Sequence, residues 1–421
     1  MITQYTDIRC PMYGRIDMRQ VHHTLRRREV QRMLRVSQLG AVSYVFPGAT
    51  HNRLMHMIGV YYITKLRADD LLNRKLITEQ EHRDICLTGL VHDIGHEILS
   101  HMLELLRGNH DDAGVRLVLG ELAEAIRLDG GNPEAIAAHM RRETKLSQLV
   151  FGAPCGADTL DYLARDAHQV SGEVLQFDAL FCANVRWSRE HGLYLLPRGM
   201  PQILSVMNRY WHQYCDIYER ISVRLAQRYL QELLRQVIEL DPSVCRYLHV
   251  SGEAGTMGAV RLWCEDHPET EAARRHELWL ERRYPKKAFV YSPWPQSVPV
   301  RDKDSVRKIA CDVALLEGSE LWSPEALSRK EQEVAELLGL APEEVSIAPS
   351  PPSRRWRALN MPVMSCGEVV SLTSLFPAIQ SAGEMYGQMS RNVVASFTEE
   401  ARARLIQSPE AARKVLQVLE R

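Results

Sequence analysis

Residues 90–101 read LVHDIGHEILSH and set four ligand-type side chains in an otherwise apolar stretch: His92, Asp93, His96 and His101. Imidazole nitrogens and carboxylate oxygens bind divalent metal ions such as Mn, Fe, Zn, Ni and Mg. A single buried histidine is more often an ordinary core residue than a ligand. Burying this many ionisable groups together is unfavourable unless something uses them. The spacing therefore indicates a metal site.

A metal ion needs more ligands than the adjacent His92 and Asp93 can supply. Further ligands must therefore come from other segments. On a helix, His92 and His96 would share one face. His56 lies in a second candidate helix, HNRLMHMIGV, and Asp158 lies in a third, GADTLDYLARDAH. Together with Asp93, these residues predict a mixed nitrogen and oxygen site that leaves positions open for water and substrate.

The segments that carry these residues read as helices, so we expect a mainly α-helical fold. Apolar residues recur at helical spacing, and Asn132-Pro133-Glu134, Ser323-Pro324 and Ser408-Pro409 are helix starts. The predicted helices are 18–38, 53–66, 81–107, 111–127 and 203–240. The predicted strands are 193–197 and 287–292, with weaker ones near 345 and 362. We predict a helical core over 1–240 and a mixed, mostly helical portion over 241–421.

The composition fits a folded protein without a membrane span. The chain has 421 residues and a formal net charge of −1, which gives no general attraction to nucleic acid. No apolar run reaches the roughly 18 residues that a membrane helix needs. The first residues, MITQYTDIRC, do not resemble a secretory signal. Nine scattered cysteines without a CxxC pair suit a reducing cytosol, so we expect a cytoplasmic protein.

Five segments follow one another in an order that resembles a known family. They are DIRCPMYGRIDM at 7–18, QRMLRVSQLG at 31–40, FPGATHNRLMHMIGVYYIT at 46–64, LVHDIGHEILSH at 90–101 and ADTLDYLARDAH at 157–168. This order resembles the HD-domain metal-dependent phosphohydrolase superfamily, and within it the deoxynucleoside triphosphate triphosphohydrolase branch. The resemblance implies an HD-domain helical bundle, a divalent metal ion and hydrolysis of a deoxynucleoside triphosphate to deoxynucleoside and tripolyphosphate.

The resemblance also implies roles for individual residues. The metal ligands would be His56, His92, Asp93 and Asp158. Three histidines would be catalytic: His96 and His101 would face the phosphates, and His110 would be a further active-site histidine. Six residues would contact substrate, with Arg53 on phosphate and the others around the deoxyribose: Gln38, Leu39, Arg53, Tyr162, Asp166 and Tyr218. A tyrosine ring against C2′ would exclude a 2′-hydroxyl by steric overlap.

Three departures from the family pattern leave the substrate open. Thr159 stands where the branch often has a phosphate-binding lysine, and Glu97 lies in EILSH where the family has a segment such as GPFSH. Tyr210 and Tyr214 stand where the branch tends to have basic or imidazole side chains. Fewer cations weaken the case for a triphosphate. A nucleoside monophosphate, a cyclic nucleotide or another phosphoester is therefore the alternative substrate.

The sequence leaves several partners open. Family members often assemble when a nucleotide activator binds at an interface, so we expect a homo-oligomer. Gln31 and Arg32 lie in the corresponding region, although we prefer to interpret both residues as ordinary helix surface. Two basic and aromatic clusters, RRYPKK at 282–287 and RRWR at 354–357, are the only hint of single-stranded nucleic-acid binding, and such clusters are more often solvated surface.

Overall fold

The computed structural model describes residues 7–99, 109–174, 184–250, 252–294, 306–312, 323–350 and 360–421. Helices dominate these residues, which confirms the predicted mainly helical class. Among the described helices, none combines the length and apolar character needed to cross a membrane.

The helices up to residue 171 form the part of the fold that carries the predicted ligands. They are α1 His22–Leu25, α2 Arg28–Gln31, α3 Arg53–Asn73, α4 Glu79–Val91, α5 His110–Leu119, α6 Ala123–Leu128, α7 Pro133–Met140, α8 Gln148–Phe151 and α9 Ala157–Ser171. Local sequence explains where they begin. The Asn52 side chain accepts from Met55 N at 3.0 Å to start α3, and Thr78 and Glu81 form a reciprocal capping box at α4.

The later helices pack around the long helix α11 and two four-stranded sheets. They are α10 Met200–Gln213, α11 Ile221–Leu240, α12 Cys245–Val250, α13 Gly252–Asp266, α14 Glu271–Leu280, α15 Pro324–Leu338, α16 Leu372–Leu375, α17 Pro377–Ser390, α18 Glu399–Leu405 and α19 Pro409–Glu420. Helix α11 contacts the strand Val345–Pro349, as well as α14 and α15. The predicted division of the chain at residue 240 stays a prediction.

Among the described residues, ten short strands form three sheets. The strands are β1 Asp7–Cys10, β2 Gly14–Asp17, β3 Val185–Ser188, β4 Gly192–Leu195, β5 Lys286–Ser292, β6 Arg307–Ala310, β7 Val345–Pro349, β8 Pro362–Ser365, β9 Glu368–Ser371 and β10 Val393–Phe397. Strands β1 and β2 form a hairpin, and the four-stranded sheets have the orders β6-β5-β10-β7 and β3-β4-β8-β9. In the first of these, β10 pairs antiparallel with β5 and with β7. Its side chains pack on α15 and α19.

Three of the predicted helices are interrupted. The segment 18–38 forms short turns, because Arg27 adopts an extended conformation between α1 and α2. The predicted helix 111–127 divides at Gly120 into α5 and α6. The predicted helix 203–240 contains a π-helical turn over Tyr214–Tyr218 and breaks before α11 at Arg220, which has ψ 131°.

The predicted helix 81–107 was wrong for the residues that matter most. Helix α4 ends at Val91, so His92 and His96 do not share a helix face. The chain turns there because Gly95 lies against the first turn of α5. A Cβ at Gly95 would overlap the carbonyl oxygen of His110. A tight turn, rather than helical periodicity, therefore brings His92 and His96 to the same place.

Replacing Gly59 with alanine tests the close approach of α3 and α9. A Cβ at Gly59 would overlap the side chains of Asp161 and Arg165. We expect a loss of about 1–3 kcal/mol in the free energy of unfolding, as for other overpacked interiors, together with weaker metal binding. Gly258→Ala is the matched control, because nothing lies within 4 Å of a Cβ at that exposed helical position. Thermal unfolding and metal content should separate the two variants, and equal stability would contradict this account.

Candidate metal centre and adjoining cavity

The four predicted ligands meet where α3, α4 and α9 come together. His56 lies on α3, His92 directly follows α4, Asp93 is the next residue, and Asp158 lies in the first turn of α9. Both imidazoles are buried, with 1% and 3% of their surface exposed for His56 and His92. The packing of α3 on α4 and on α9 brings together three segments that are far apart in sequence.

The donor atoms of these side chains lie close to the two imidazole Nε2 atoms. His56 Nε2 lies 3.2 Å from His92 Nε2 and 3.2 Å from Asp158 Oδ1. His92 Nε2 lies 3.5 Å from Asp93 Oδ1 and 3.7 Å from Asp158 Oδ1. Metal–ligand bonds of about 2.0–2.2 Å, at the angles found in tetrahedral or octahedral sites, separate neighbouring donors by about 3.0–3.5 Å. The donors of His56, His92 and Asp93 all lie within 4.8 Å of one another and are compatible with one divalent metal ion, and Asp158 Oδ1 lies beside the two imidazoles.

Hydrogen bonds at the far side of each imidazole support the same conclusion. His92 Nδ1 lies 3.0 Å from the carbonyl oxygen of Gly89, which can only accept, so Nδ1 carries the proton. His56 Nδ1 faces Asp161 Oδ2 at 2.8 Å. When the rings are neutral, both Nε2 lone pairs therefore point at the shared space between them. A cation in that space would bind both lone pairs, which is the usual arrangement of histidine ligands.

The electrostatics of the cluster also favour a positive charge. Burial lowers the pKa of His56, but hydrogen bonds to Asp158 and Asp161 outweigh burial and raise this pKa to about 10. Burial raises the pKa of Asp93, but the nearby His92 and Arg53 overcome that effect and hold it at about 2. The carboxylates that stabilise a proton on His56 would stabilise a metal cation in the same way. The site therefore suits a divalent metal whose identity is open.

Asp161 is a supporting residue that sequence reasoning missed. It is fully buried, and besides His56 it binds Arg165 through two hydrogen bonds of 2.8 Å and accepts from the Tyr13 hydroxyl at 2.8 Å. The sequence did contain a signal, because Asp161 follows Asp158 by three residues and lies on the same side of α9. Asp161 therefore fixes the ring orientation of His56 while Arg165 balances its charge.

Two of the three predicted catalytic histidines, His96 and His110, lie beside the predicted metal ligands. His96 Nε2 is 3.6 Å from Asp93 Oδ1, and the rings of His96 and His110 stack with centroids 3.7 Å apart. Arg53 forms an ion pair with Asp93. His101 lies outside the described residues. The structure brings His96, His110 and Arg53 together at one edge of the cluster, and their roles in a reaction stay predictions.

A cavity of about 650 Å³ opens next to the predicted metal ligands. Its wall includes all six predicted substrate contacts: Gln38, Leu39, Arg53, Tyr162, Asp166 and Tyr218. Asp166 on α9 connects the segment of His51 to the turn that carries Tyr218. Its carboxylate lies 2.8 Å from His51 Nε2 and also accepts from the Tyr218 hydroxyl. Burial and the neighbouring Asp166 raise the pKa of Tyr218, so its hydroxyl keeps its proton.

The departures from the family pattern can now be placed. Thr159, Tyr210 and Tyr214 all line the cavity. Arg142, which sequence reasoning did not select, also lines it. Arg142 forms an ion pair with Asp111 at 3.1 Å. It supplies a cation at the metal end of the cavity that the motif comparison did not reveal.

Glu97 lies in the loop that carries His96, and its charge acts on Arg32. Burial lowers the pKa of Arg32, whereas the Glu97 carboxylate acts in the opposite direction. Arg32 in turn donates to the carbonyl oxygen of His96 at 2.7 Å. These contacts give Arg32 a structural function next to the site. Binding of an activator nucleotide at Gln31 and Arg32 stays a prediction.

A second set of missed residues forms the opposite wall of the cavity. One face of α11 contributes Arg224, Gln227, Arg228 and Gln231, which are spaced i, i+3, i+4 and i+7. The apolar stripe of this segment predicts burial, whereas its polar stripe resembles solvent-exposed surface. Leu327, Ala348 and Pro349 complete this wall. Residues on both sides of the predicted boundary at 240 therefore line one cavity.

Replacing Glu253 tests how the segments of Ser37 and Leu99 are held together at the cavity wall. Its Oε1 accepts from Ser37 Oγ at 2.7 Å and from Leu99 N at 2.8 Å. A Cβ at Gly40 would lie 2.8 Å from the carbonyl oxygen of Leu99, so the segments next to Gln38 and His96 press together there. We expect Glu253→Ala to lower the turnover number about tenfold through misplacement of the reacting groups, with metal content unchanged. Glu253→Gln, which keeps an acceptor oxygen, should recover part of the activity. Equal turnover in all three proteins would contradict this role.

The first basic cluster that suggested nucleic-acid binding is largely used within the fold. Arg282 donates to the carbonyl oxygen of Tyr44 at 2.7 Å, and Arg283 forms ion pairs with Glu281 and Glu400. Tyr284 is buried, which leaves its ring unable to stack on a base. The second cluster, 354–357, lies outside the described residues. Nucleic-acid binding stays a prediction that these contacts do not support.

Known proteins share parts of this sequence. No protein-family model matches the chain. The uncharacterized protein YwfO of Bacillus subtilis is 29% identical over 248 residues, which are 57% of each chain. The deoxynucleoside triphosphate triphosphohydrolase SAMHD1 of Danio rerio is 37% identical over 98 residues, which are 22% of this chain and 16% of SAMHD1. The chain therefore spans little more than half of YwfO and a small part of SAMHD1.

Solved structures share the whole fold at low sequence identity. A hypothetical protein from Aquifex aeolicus aligns with a TM-score of 0.66 and 20% identity over 95% of this chain and 99% of its own. A phosphohydrolase from Bacteroides thetaiotaomicron aligns with a TM-score of 0.69 and 18% identity over 93% of this chain and 99% of its own. At such identities the alignments show the fold alone. Together with the partial SAMHD1 matches, they support similarity to HD-like phosphohydrolases without naming a nucleotide.

Proposed function

We propose that this protein is a metal-dependent phosphohydrolase that hydrolyses deoxynucleoside triphosphates to deoxynucleoside and tripolyphosphate. The observation that supports this most is the grouping of donor atoms from His56, His92 and Asp93 within 4.8 Å of one another, with Asp158 beside the two imidazoles, at one end of a 650 Å³ cavity. That volume lies within the range of about 300–1,000 Å³ that small-molecule sites occupy. A bound divalent metal would lower the pKa of water and polarise a phosphoryl oxygen.

The residues around the cluster suit a phosphate chain. Arg53 and Arg142 supply guanidinium groups, which bind phosphate oxygens in a bidentate manner. His96 and His110 lie beside Asp93 and line the cavity. Imidazoles in that position can hold charge on the phosphates or give a proton to a leaving oxygen. In this proposal, His101 belongs to the same group.

The middle of the cavity suits a deoxyribose. Tyr162 and Tyr218 lie with ring centroids 6.4 Å apart in an edge-to-face arrangement, and Asp166 accepts from Tyr218. This network fixes the Tyr218 ring, because its hydroxyl is held. A fixed ring against C2′ would leave no room for a 2′-hydroxyl. Gln38 and Leu39 form the opposite side of this part of the cavity in the proposal.

The test is a product analysis with the intact protein. Each deoxynucleoside and ribonucleoside triphosphate is incubated with the protein in Mn²⁺ or Mg²⁺, and products are separated by ion exchange. We expect deoxynucleoside and tripolyphosphate, with ribonucleotides cleaved at least tenfold more slowly. The double variant His92→Ala, Asp93→Ala should lose both bound metal and activity. Intact nucleotides after incubation with metal-loaded protein, with and without activator nucleotides, would refute the proposal.

A second candidate is hydrolysis of a phosphoester with fewer phosphates. Thr159, Tyr210 and Tyr214 line the cavity where the related branch carries cations, so fewer charges face a triphosphate. Arg142 compensates for one of these losses, which is why we place this candidate second. Orthophosphate release from nucleoside monophosphates, or opening of a cyclic nucleotide, would favour it. Release of tripolyphosphate alone would exclude it.

Other features of the proposal rest on sequence. The homo-oligomeric state, the nucleotide activator and the cytoplasmic location stay predictions. Size-exclusion chromatography coupled to light scattering, with and without added nucleotides, would test the first two together.

A further inference from the structure

The polar face of α11 has the placement expected of a base-binding surface. Asp158, Tyr162 and Asp166 are spaced four residues apart on α9, and all three line the cavity. At 1.5 Å per residue, Asp166 lies about 12 Å along the helix from the metal ligand Asp158. Tyr218 binds Asp166, and α11 begins three residues after Tyr218. If the phosphates lie at the metal cluster and the sugar at Tyr162, the base would reach the α11 face.

This face presents guanidinium and amide groups that can donate hydrogen bonds. Arg224 is buried, and it donates to the carbonyl oxygens of Glu219 and Ala348 at 3.2 Å each and to the Asn392 side chain. All these acceptors are neutral, and among the described residues no carboxylate forms an ion pair with Arg224. A guanidinium has five N–H groups, so N–H groups are left over after these three bonds.

Gln227 lies one helical turn from Arg224 and lines the cavity. Within the described ranges, its side chain has no hydrogen-bond partner. Its amide carries both an acceptor oxygen and an NH₂ donor, so Gln227 can donate a hydrogen bond to a ligand. Arg228 is already occupied, since it binds Glu232 and Glu331. Arg224 and Gln227 are therefore the side chains on this face that can form hydrogen bonds with a ligand.

Burial supports the same view of Arg224. It lowers the pKa of this guanidinium to about 10, with the Glu219 carboxylate acting in the opposite direction. A buried cation held by neutral acceptors gains from any ligand atom that carries partial negative charge.

We propose that Arg224 and Gln227 form a nucleobase subsite that favours bases with a keto oxygen over bases with an amino group at the same ring position. This inference rests on the proposed function and names its preferred substrates. A keto oxygen, as in guanine, hypoxanthine, thymine or uracil, accepts hydrogen bonds from both side chains. The amino group of adenine or cytosine would direct its N–H groups at the N–H groups of Arg224, and of these two side chains only the Gln227 amide oxygen could accept from it.

Two matched pairs of nucleotides test the inference in the unmodified protein. The deoxynucleoside triphosphates of hypoxanthine and adenine differ in the keto or amino group at C6 and the ring proton that accompanies it. Those of uracil and cytosine differ in the same way at C4. We expect kcat/KM to favour the keto member at least tenfold in both pairs. A ratio near one, or a preference for the amino member, would overturn the subsite while leaving the proposed function intact.

Two variants connect the preference to α11. Gln227→Glu keeps the shape of the side chain, places a carboxylate beside Arg224 and removes the donor, so the keto-to-amino ratio should fall at least tenfold. Gln380→Glu is the matched control on the exposed surface of α17, and it should leave the ratio unchanged. An unaltered ratio in folded, metal-loaded Gln227→Glu would overturn the assignment. Failure of the metal-loaded wild type to cleave any of the four nucleotides would overturn the proposed function and the subsite with it.

Discussion

Replacing Asp161 with asparagine is expected to lower metal affinity about 10- to 100-fold, the usual effect of removing a residue that orients a histidine ligand. The same change should lower the free energy of unfolding by about 3–5 kcal/mol, because it leaves Arg165 without a counterion in the interior. Both side chains of the Asp161–Arg165 pair are 1% exposed or less. Isothermal titration with Mn²⁺ and denaturant unfolding measure the two effects separately.

A second variant separates the two roles of Asp161. In Asp161→Asn, Arg165→Met, the unpaired buried charge is removed, so most of the lost stability should return. Metal affinity should stay low, because His56 still lacks the carboxylate that fixes its ring. Asp158→Asn is the complementary control, since it removes a predicted ligand without exposing a buried arginine charge. Recovery of metal affinity in the double variant would contradict the orienting role of Asp161.

Replacing Arg228 with methionine should be the most destabilising change in the second half of the fold. Arg228 binds Glu331 Oε2 at 2.6 Å and Glu232 Oε2 at 3.1 Å, and both carboxylates are 2% exposed. Removing the cation leaves two buried carboxylates facing each other. We expect a loss of about 3–5 kcal/mol in the free energy of unfolding at pH 8. Arg235→Met is the control, because the Arg235 side chain, which also binds Glu232, is more exposed.

The loss in Arg228→Met should depend on pH. Burial raises the pKa of Glu331 even in the unmodified protein, with Arg228 opposing that effect. A raised pKa in the folded state means that protonation stabilises the fold, most fully below the ordinary glutamate pKa, and that this contribution disappears as the pH rises. The difference between variant and wild type should therefore shrink from pH 8 to pH 5. A difference that stays constant would exclude Glu331 as the cause.

The structure brings the predicted metal ligands close together, but the predicted reason for the proximity of His92 and His96, a shared helix face, was wrong. His56, His92 and Asp93 can be selected from the sequence by residue type alone, because few side chains bind divalent metal ions. The turn after His92 was missed, because Gly95 matters through its contact with α5, and that contact involves residues distant in sequence. Long-range packing of this kind leaves no local periodicity to detect.

The polar wall of α11 and the strand β10 were missed for a related reason. Arg224, Gln227 and Arg228 resemble the solvent-facing side of an amphipathic helix, because sequence does not show what covers that side. Strand β10, VVASF, is buried at every position, so it lacks the alternation that marks a half-exposed strand. By contrast, β5 was predicted because its segment KAFVYS carries strand-forming residues between turns.

The position of β10 in its sheet has a consequence for synthesis of the protein on the ribosome. Strands β5 and β7 have β10 as their common neighbour, yet β10 is made after both. Until residue 397 has emerged, β5 and β7 lack the strand that joins them, and Arg224 lacks its contact with Asn392. Edges of this kind can pair with other chains. Nascent chains that stall before residue 393 should therefore be captured by chaperones or degraded, although every predicted metal ligand has already been translated.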